Sequence, residues 1–258
     1  MNRNNNDVIN KGIFVLLLVF AVSVRLAVIA LYPKVNRDSL LFLRIAEGIA
    51  NGRTDVLSHC TTQPLYPLLI SALYYTGVPL NAAGYFINIV CSIVLIICSY
   101  FIVYYLLKSQ IAAFLSMFLC AMHPTYVEIN TLILRDSLYI ALFSLFILVE
   151  IRYALYAQKK DIAVLGICCG LAPWIRNEGI ELLGYAVLFF SGLILYKRKH
   201  SETSNESTFS LLKTLLFLSG FLFSLFFAAA ISSHFGFEWF RNFSHLRYFF
   251  SGIKQCII

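Results

Sequence analysis

From Leu80 to Leu107 the chain runs without one charged side chain. A helix that is apolar all round must be buried on every side or lie in lipid, and this one is long enough for lipid. Further apolar runs cover 12–32, 111–122, 137–156, 162–175, 180–196 and 211–232. The first of these, about 21 residues, suffices to cross ~30 Å of hydrocarbon. Composition agrees, with 60% hydrophobic and only 13% charged residues, where a soluble domain carries about a quarter charged. The expected fold is an all-α polytopic membrane protein of about seven transmembrane helices, forming a single transmembrane domain over 1–258.

The basic residues orient these runs. The net charge is +7, which in such a chain reflects cytoplasmic loops rather than nucleic-acid binding. Arg3 and Lys11, then Lys108, then Lys159-Lys160, then Lys197-Arg198-Lys199 all fall on one side, provided the apolar segment 64–77 does not cross. If it crossed, the lysine-rich loops would lie outside, against the positive-inside rule. At about 14 residues with two prolines it is also short for a span. Segments 39–50 and 64–77 are therefore expected as two interfacial helices in an outer loop, 33–79, with the N-terminus cytoplasmic. In the first of them Arg37, Arg44, Glu47 and Asn51 can share a polar face, with Leu40, Leu43, Ile45 and Ile49 covering the remainder and Asn51-Gly52 ending the helix.

Arg25 interrupts the first span near its far end; it either snorkels to the surface or turns inward near an anionic head group. Of the seven cysteines, Cys91, Cys98, Cys120, Cys168 and Cys169 lie in apolar runs and read as small hydrophobes. Cys60 and Cys256 both fall on the outer side, where a disulfide is one option. The tail 234–258 is aromatic and basic, with Trp239, Arg241, His245, Arg247 and Lys254. It reads as an interfacial anchor, or as a contact for a lipid-linked phosphate.

Three outer clusters pair a cation with a carboxylate at the end of a span: Arg37-Asp38, Arg135-Asp136 and Arg176-Asn177-Glu178. A carboxylate there can take a proton from an acceptor hydroxyl, and an arginine can bind a phosphate bidentately. Alternatively each is a solvated charge that positions its helix end. No Gly-rich phosphate loop, HExxH or GxSxG motif occurs, so nucleotide chemistry, zinc proteolysis and triad hydrolysis lose support. No cofactor signature is present. A divalent metal shared by His59, Glu128 or Asp136 is conceivable, although a lone histidine at a membrane surface is more often a simple polar contact.

Four blocks together suggest a family. They are Arg37-Asp38-Ser39 after the first span, Gln63-Pro64-Leu65-Tyr66-Pro67-Leu68-Leu69, Leu134-Arg135-Asp136-Ser137 after His123-Pro124, and Gly170-Leu171-Ala172 leading to Arg176-Asn177-Glu178-Gly179. Over 10–200 the chain resembles the membrane-embedded GT-C glycosyltransferases, especially the bacterial branch akin to dolichyl-phosphate-mannose:protein mannosyltransferases and the lipid A aminoarabinose transferase. The resemblance implies transfer of a sugar from a polyprenyl-phosphate carrier to a glycan, lipid or protein acceptor, at the outer face of a bacterial inner membrane. It maps the catalytic carboxylate onto Asp38 and a second acidic position onto Asp136. Arg176 would lie near the same face; Arg37, Arg135 and Glu178 join it as candidate donor-phosphate contacts.

Departures are specific. Family members often carry two adjacent acidic residues where this chain has Asp38-Ser39, and Pro-Pro or Lys-Pro where it has Gln63-Pro64. They also continue through further spans, so a chain ending at Ile258 is expected to be a fragment, a truncated reading frame or a reduced member. Two other readings stand beside the enzyme: a non-enzymatic transporter or assembly partner in envelope-glycan synthesis, and an inactive remnant. Transporters place ionisable residues mid-membrane and show inverted repeats, whereas these acids collect at one surface.

Overall fold

The computed structural model describes residues 3–32, 34–53, 63–200, 217–224 and 226. Among these every regular element is helical. The helices are α1 (Arg3–Leu31), α2 (Arg37–Ala50), α3 (Leu65–Tyr75), α4 (Leu80–Leu107), α5 (Gln110–Met122), α6 (Pro124–Thr131), α7 (Arg135–Tyr156), α8 (Lys159–Ile175) and α9 (Glu181–His200), with a 3₁₀ turn at Asn177–Ile180. A helical stretch at 217–224 follows.

Among the described residues three segments are long and apolar enough to cross a membrane: Asn10–Leu31, Leu80–Leu107 and Arg135–Tyr156. A fourth is available if α5 and α6 count as one span bent by 54°. The break between them is the His123-Pro124 pair: Pro124 takes the first position of α6, where its missing N–H costs nothing, and it cannot continue α5. Of the remaining expected spans, α8 has only 17 residues, α9 ends in Lys197, Arg198 and Lys199, and 211–232 falls mostly outside the described residues. α1 keeps an apolar surface, with Val15, Leu16, Val19 and Leu26 exposed.

Local chemistry sets the short helices. Asn36 caps α2 by accepting from the Ser39 N–H at 2.7 Å, and Asp38 adds a negative charge to the first turn, where the helix dipole favours it. The helix stops where the sequence places its end: Gly52 adopts φ +64°, and Arg53 N–H closes back on the Gly48 carbonyl at 2.8 Å. Tyr75, from the last turn of α3, donates to the Ala50 carbonyl at 2.8 Å, tying the two helices into a hairpin. One face of α2 is buried through Phe42, Leu43, Ile45 and Ile49 against α3 and α4, while Arg37, Arg44 and Glu47 stay exposed. Leu40, expected on the apolar face, is exposed beside Leu41. The pair widens the outward surface of α2 with greasy side chains rather than adding to the core.

The bundle has two chemically distinct ends. At one, the Asn10 amide donates to Gln110 at 2.8 Å, and Tyr105 meets Tyr156 edge-on at 5.9 Å. The α4 and α7 helices finish there on left-handed residues, Lys108 and Ala157. The other end gathers the start of α2, the residue before α3, α6, the start of α7 and the 3₁₀ turn.

Arg25 does not snorkel. It is completely buried and donates from Nη1 to the Ala21 carbonyl at 3.0 Å and the Ala121 carbonyl at 3.1 Å. Ala121 lies in the last turn of α5, beside the proline break. That turn holds the negative end of the helix dipole and carbonyls released from the helical ladder. The cation therefore clasps the bend from inside the protein.

Candidate active site

Four backbone segments converge at the polar end. The turn carrying Arg176, Asn177 and Glu178 is docked by Gly179: a Cβ there would stand 2.2 Å from the Ala172 carbonyl carbon and 2.6 Å from the Pro173 nitrogen. Backbone bonds close the turn, with Arg176 N–H to Ala172 O and Gly179 N–H to Arg176 O, both at 3.0 Å. Arg135 and Asp136 open α7, where Asp136 occupies the first turn. Gln63, 1% exposed, sits just ahead of α3. A buried chain supports the floor: Tyr66 donates to Asn88 at 3.0 Å, and the Asn88 amide donates to the Leu132 carbonyl in the α6–α7 connection. Phe42 lies edge-on against Tyr66 at 5.4 Å. Burial pushes the Tyr66 hydroxyl well above the usual tyrosine range, with Cys91 adding to the effect. It therefore remains a neutral donor.

The two central arginines have different surroundings. Arg176 makes an ion pair with Asp136 through Nη1 and a second with Glu178, Nε to Oε2 at 3.2 Å. Its guanidinium also lies 5.6 Å from the Tyr139 ring centre. The hydrogen bond that Arg176 donates to Glu178 raises the pKa of Arg176 and holds the Glu178 carboxyl below the ordinary carboxylate range. Arg135 makes one hydrogen bond, from Nη1 to the Gln63 side-chain oxygen, and lies 5.8 Å over the Phe42 ring. Gln63 in turn donates from its amide nitrogen to Asn177. A neutral amide bridge thus ties Arg135 to the turn that carries Arg176, and the two arginines act on each other electrostatically.

The structure brings together Arg135, Asp136, Arg176 and Glu178 out of separate stretches of sequence. Asp38 joins at longer range: it is exposed on the first turn of α2 and interacts electrostatically with Arg135, as do Asp136 and Glu178. Arg37 stands apart, exposed and with no hydrogen bond or ion pair among the described residues. Glu128 pairs with Lys34 at 3.6 Å. His59, Asp55, Cys60 and Cys256 lie outside the described residues, as does the tail 234–258. Among the described residues no group of three His, Cys, Asp or Glu side chains could hold a metal ion.

Gln63 and Asn177 join this cluster, and sequence reasoning gave neither a role in it. Both stood within blocks that carry the family resemblance, Gln63 also as a departure from the family pattern, but neither was named as a site residue. For Gln63 the available signal was physical: a glutamine heading an apolar run must find partners if buried; Asn177 is exposed and carried no such signal. A cavity of about 300 Å³ lies elsewhere, between α4 and α7 toward the opposite end, lined by Val94, Phe101, Tyr105, Leu145 and Arg152 among others. It is almost wholly apolar and does not touch this cluster.

Arg135, bonded to a neutral amide, has the chemistry to hold an anion, and Asp38 and Asp136 act on its guanidinium electrostatically. No protein-family model matches the chain, and neither does any curated protein or solved structure.

Proposed function

We propose that this chain is a multi-pass membrane glycosyltransferase of GT-C type, moving a sugar from a polyprenyl-phosphate carrier to a glycan, lipid or protein acceptor. The observation that carries the reading is the gathering of Asp38, Arg135, Asp136, Arg176 and Glu178 at one end of an apolar helical bundle. In this scheme Asp38 takes the proton from the acceptor hydroxyl and Asp136 supports it. The acceptor oxygen forms a bond to the anomeric carbon, and the bond from that carbon to the carrier phosphate oxygen breaks. The phosphate leaves with the electron pair and is met by arginine. The carrier's prenyl chain lies against the apolar flanks of the helices. The polar end faces outward in a bacterial inner membrane, with Lys108, Lys159 and Lys160 at the cytoplasmic end. The α2–α3 hairpin rests in the outer interface, and seven crossings complete the topology.

Asp38→Asn is expected to abolish sugar transfer from a polyprenyl-phosphate donor in membranes while protein level and melting temperature hold. Unchanged transfer would remove Asp38 from its role. The transporter reading draws on one observation, the half-buried Glu150 within α7, whose Oε1 has no partner. Loss of solute uptake in Glu150→Gln vesicles, with Asp38→Asn neutral, would favour that reading.

A further inference from the structure

We propose that Arg135 rather than Arg176 receives the phosphate of the lipid-linked ligand, and that Gln63 is the positioning residue that aims it. This inference rests on the lipid-phosphate reading above and assigns the recognition step within it.

The argument is a comparison of donors. A guanidinium has five N–H groups on three nitrogens. On Arg176 all three nitrogens face carboxylates: Nη1 bonds Asp136, Nε bonds Glu178 at 3.2 Å, and Nη2 turns to Glu178 at 3.5 Å. One cation between two anions has no spare positive charge to offer, and an incoming phosphate would be repelled by both carboxylates. Among the described residues Arg135 makes its hydrogen bond through Nη1, to an uncharged amide oxygen, and no carboxylate bonds its guanidinium directly; Asp136, Glu178 and Asp38 act on it only through space. Arg135 as a residue is half-buried, and neither Nε nor Nη2 is a sealed, unpartnered atom. They form an edge of two parallel donors, the geometry that matches two phosphate oxygens.

Gln63 is suited to holding that edge in place. It is almost fully buried, and both ends of its amide are engaged, the oxygen by Arg135 and the nitrogen by Asn177. The amide therefore has one orientation, and it fixes the rotation of the guanidinium about its bond to Gln63. Phe42 covers one face of the same guanidinium at 5.8 Å. A neutral acceptor orients the arginine without cancelling its charge. A carboxylate at position 63 would orient it equally well and neutralise it.

That contrast supplies the test. The full chain is purified in detergent, and binding is measured for polyprenyl monophosphate, for the matching polyprenol, and for inorganic phosphate as competitor. The unmodified protein is expected to prefer the monophosphate over the polyprenol by tenfold or more, roughly the value of a charge-assisted bidentate contact. Gln63→Glu is expected to erase most of that preference with an unchanged or raised melting temperature. Arg135→Gln is expected to erase it as well, and Arg176→Lys to lower the melting temperature while preserving it. A purely structural Gln63 would tolerate glutamate, so full phosphate preference in Gln63→Glu overturns the proposal. Loss of preference in Arg176→Lys with retention in Arg135→Gln also overturns it. If the unmodified protein itself shows no preference for the monophosphate, the parent reading falls too. If it shows one that neither Gln63→Glu nor Arg135→Gln alters, only this assignment falls. Competition by inorganic phosphate separates recognition of the free anion from recognition that needs the lipid chain.

Discussion

Adding one methyl group at Gly179 tests how the polar end is assembled. The Cβ of alanine would stand 2.2 Å from the Ala172 carbonyl carbon, 2.3 Å from its oxygen and 2.6 Å from the Pro173 nitrogen. Ordinary carbon contacts begin near 3.5 Å, so the turn must retreat from α8 by roughly 1 Å. All three atoms are backbone and cannot rotate away. Overpacking of this kind costs about 1–3 kcal/mol. The displacement also moves Arg176, three residues earlier in the same turn, away from Asp136. The matched control is Gly184 in α9, where an added Cβ meets nothing within 4 Å. There alanine removes the backbone-entropy penalty of a helical glycine, a gain of about 0.5–1 kcal/mol. The same chemical change is thus expected to have opposite signs at two positions five residues apart. Thermal unfolding of both variants in detergent, monitored by circular dichroism, reads the difference. A Gly179→Ala protein as stable as the parent would mean that the turn does not dock on α8, and the shared site would lose its support.

Three further outcomes follow from individual contacts. Arg152→Leu leaves Asp161, which is fully buried, without its partner across the α7–α8 connection. The loss of a buried pair's partner costs about 3–5 kcal/mol, and less here because Arg152 is a third exposed. Arg152→Leu combined with Asp161→Leu should recover most of it in chemical unfolding, and a double variant no better than the single one would refute the pairing. The Arg176–Glu178 contribution depends on pH in a defined direction. Because Arg176 holds the folded-state carboxyl below its unfolded value, the contribution is complete above about pH 4.3 and fades as pH falls through the lower folded value. The melting-temperature gap between the parent and Glu178→Gln should therefore close in acid. It should be small throughout, since Glu178 is 54% exposed, and a gap that widened in acid would contradict the assignment.

Much of the local structure was legible from residue chemistry. Asn51-Gly52 ends α2 because glycine accepts the left-handed conformation found there. His123-Pro124 splits α5 from α6 because proline lacks the donor that continuation needs. The charged pairs flanking apolar runs marked Asp136, Arg176 and Glu178, and these do meet. Gln63 was not legible as a bridge. Its partners are 72 and 114 positions away, and a lone glutamine does not announce which buried groups it will satisfy. Arg25 was open to two readings, and neither named the Ala121 carbonyl, 96 positions distant, that fixes it. Leu40 lies outside the buried stripe of α2, since periodicity marks a stripe without saying how much of it a neighbour covers.

The order of apolar runs, their helical state and the ends of the short helices are properties of the sequence by itself, because they depend on transfer from water and on backbone donors within a few residues. Which arginine is paired with carboxylates, and which bonds a neutral amide among the described residues, was decided only by tertiary structure. Arg135 and Arg176 have similar neighbours in sequence, each standing next to or near a carboxylate. Packing the 3₁₀ turn onto α8 through Gly179 brings Asp136 to Arg176 and turns Arg135 toward Gln63. Electrostatic identity follows distance in space, and that distance is set by how the helices pack.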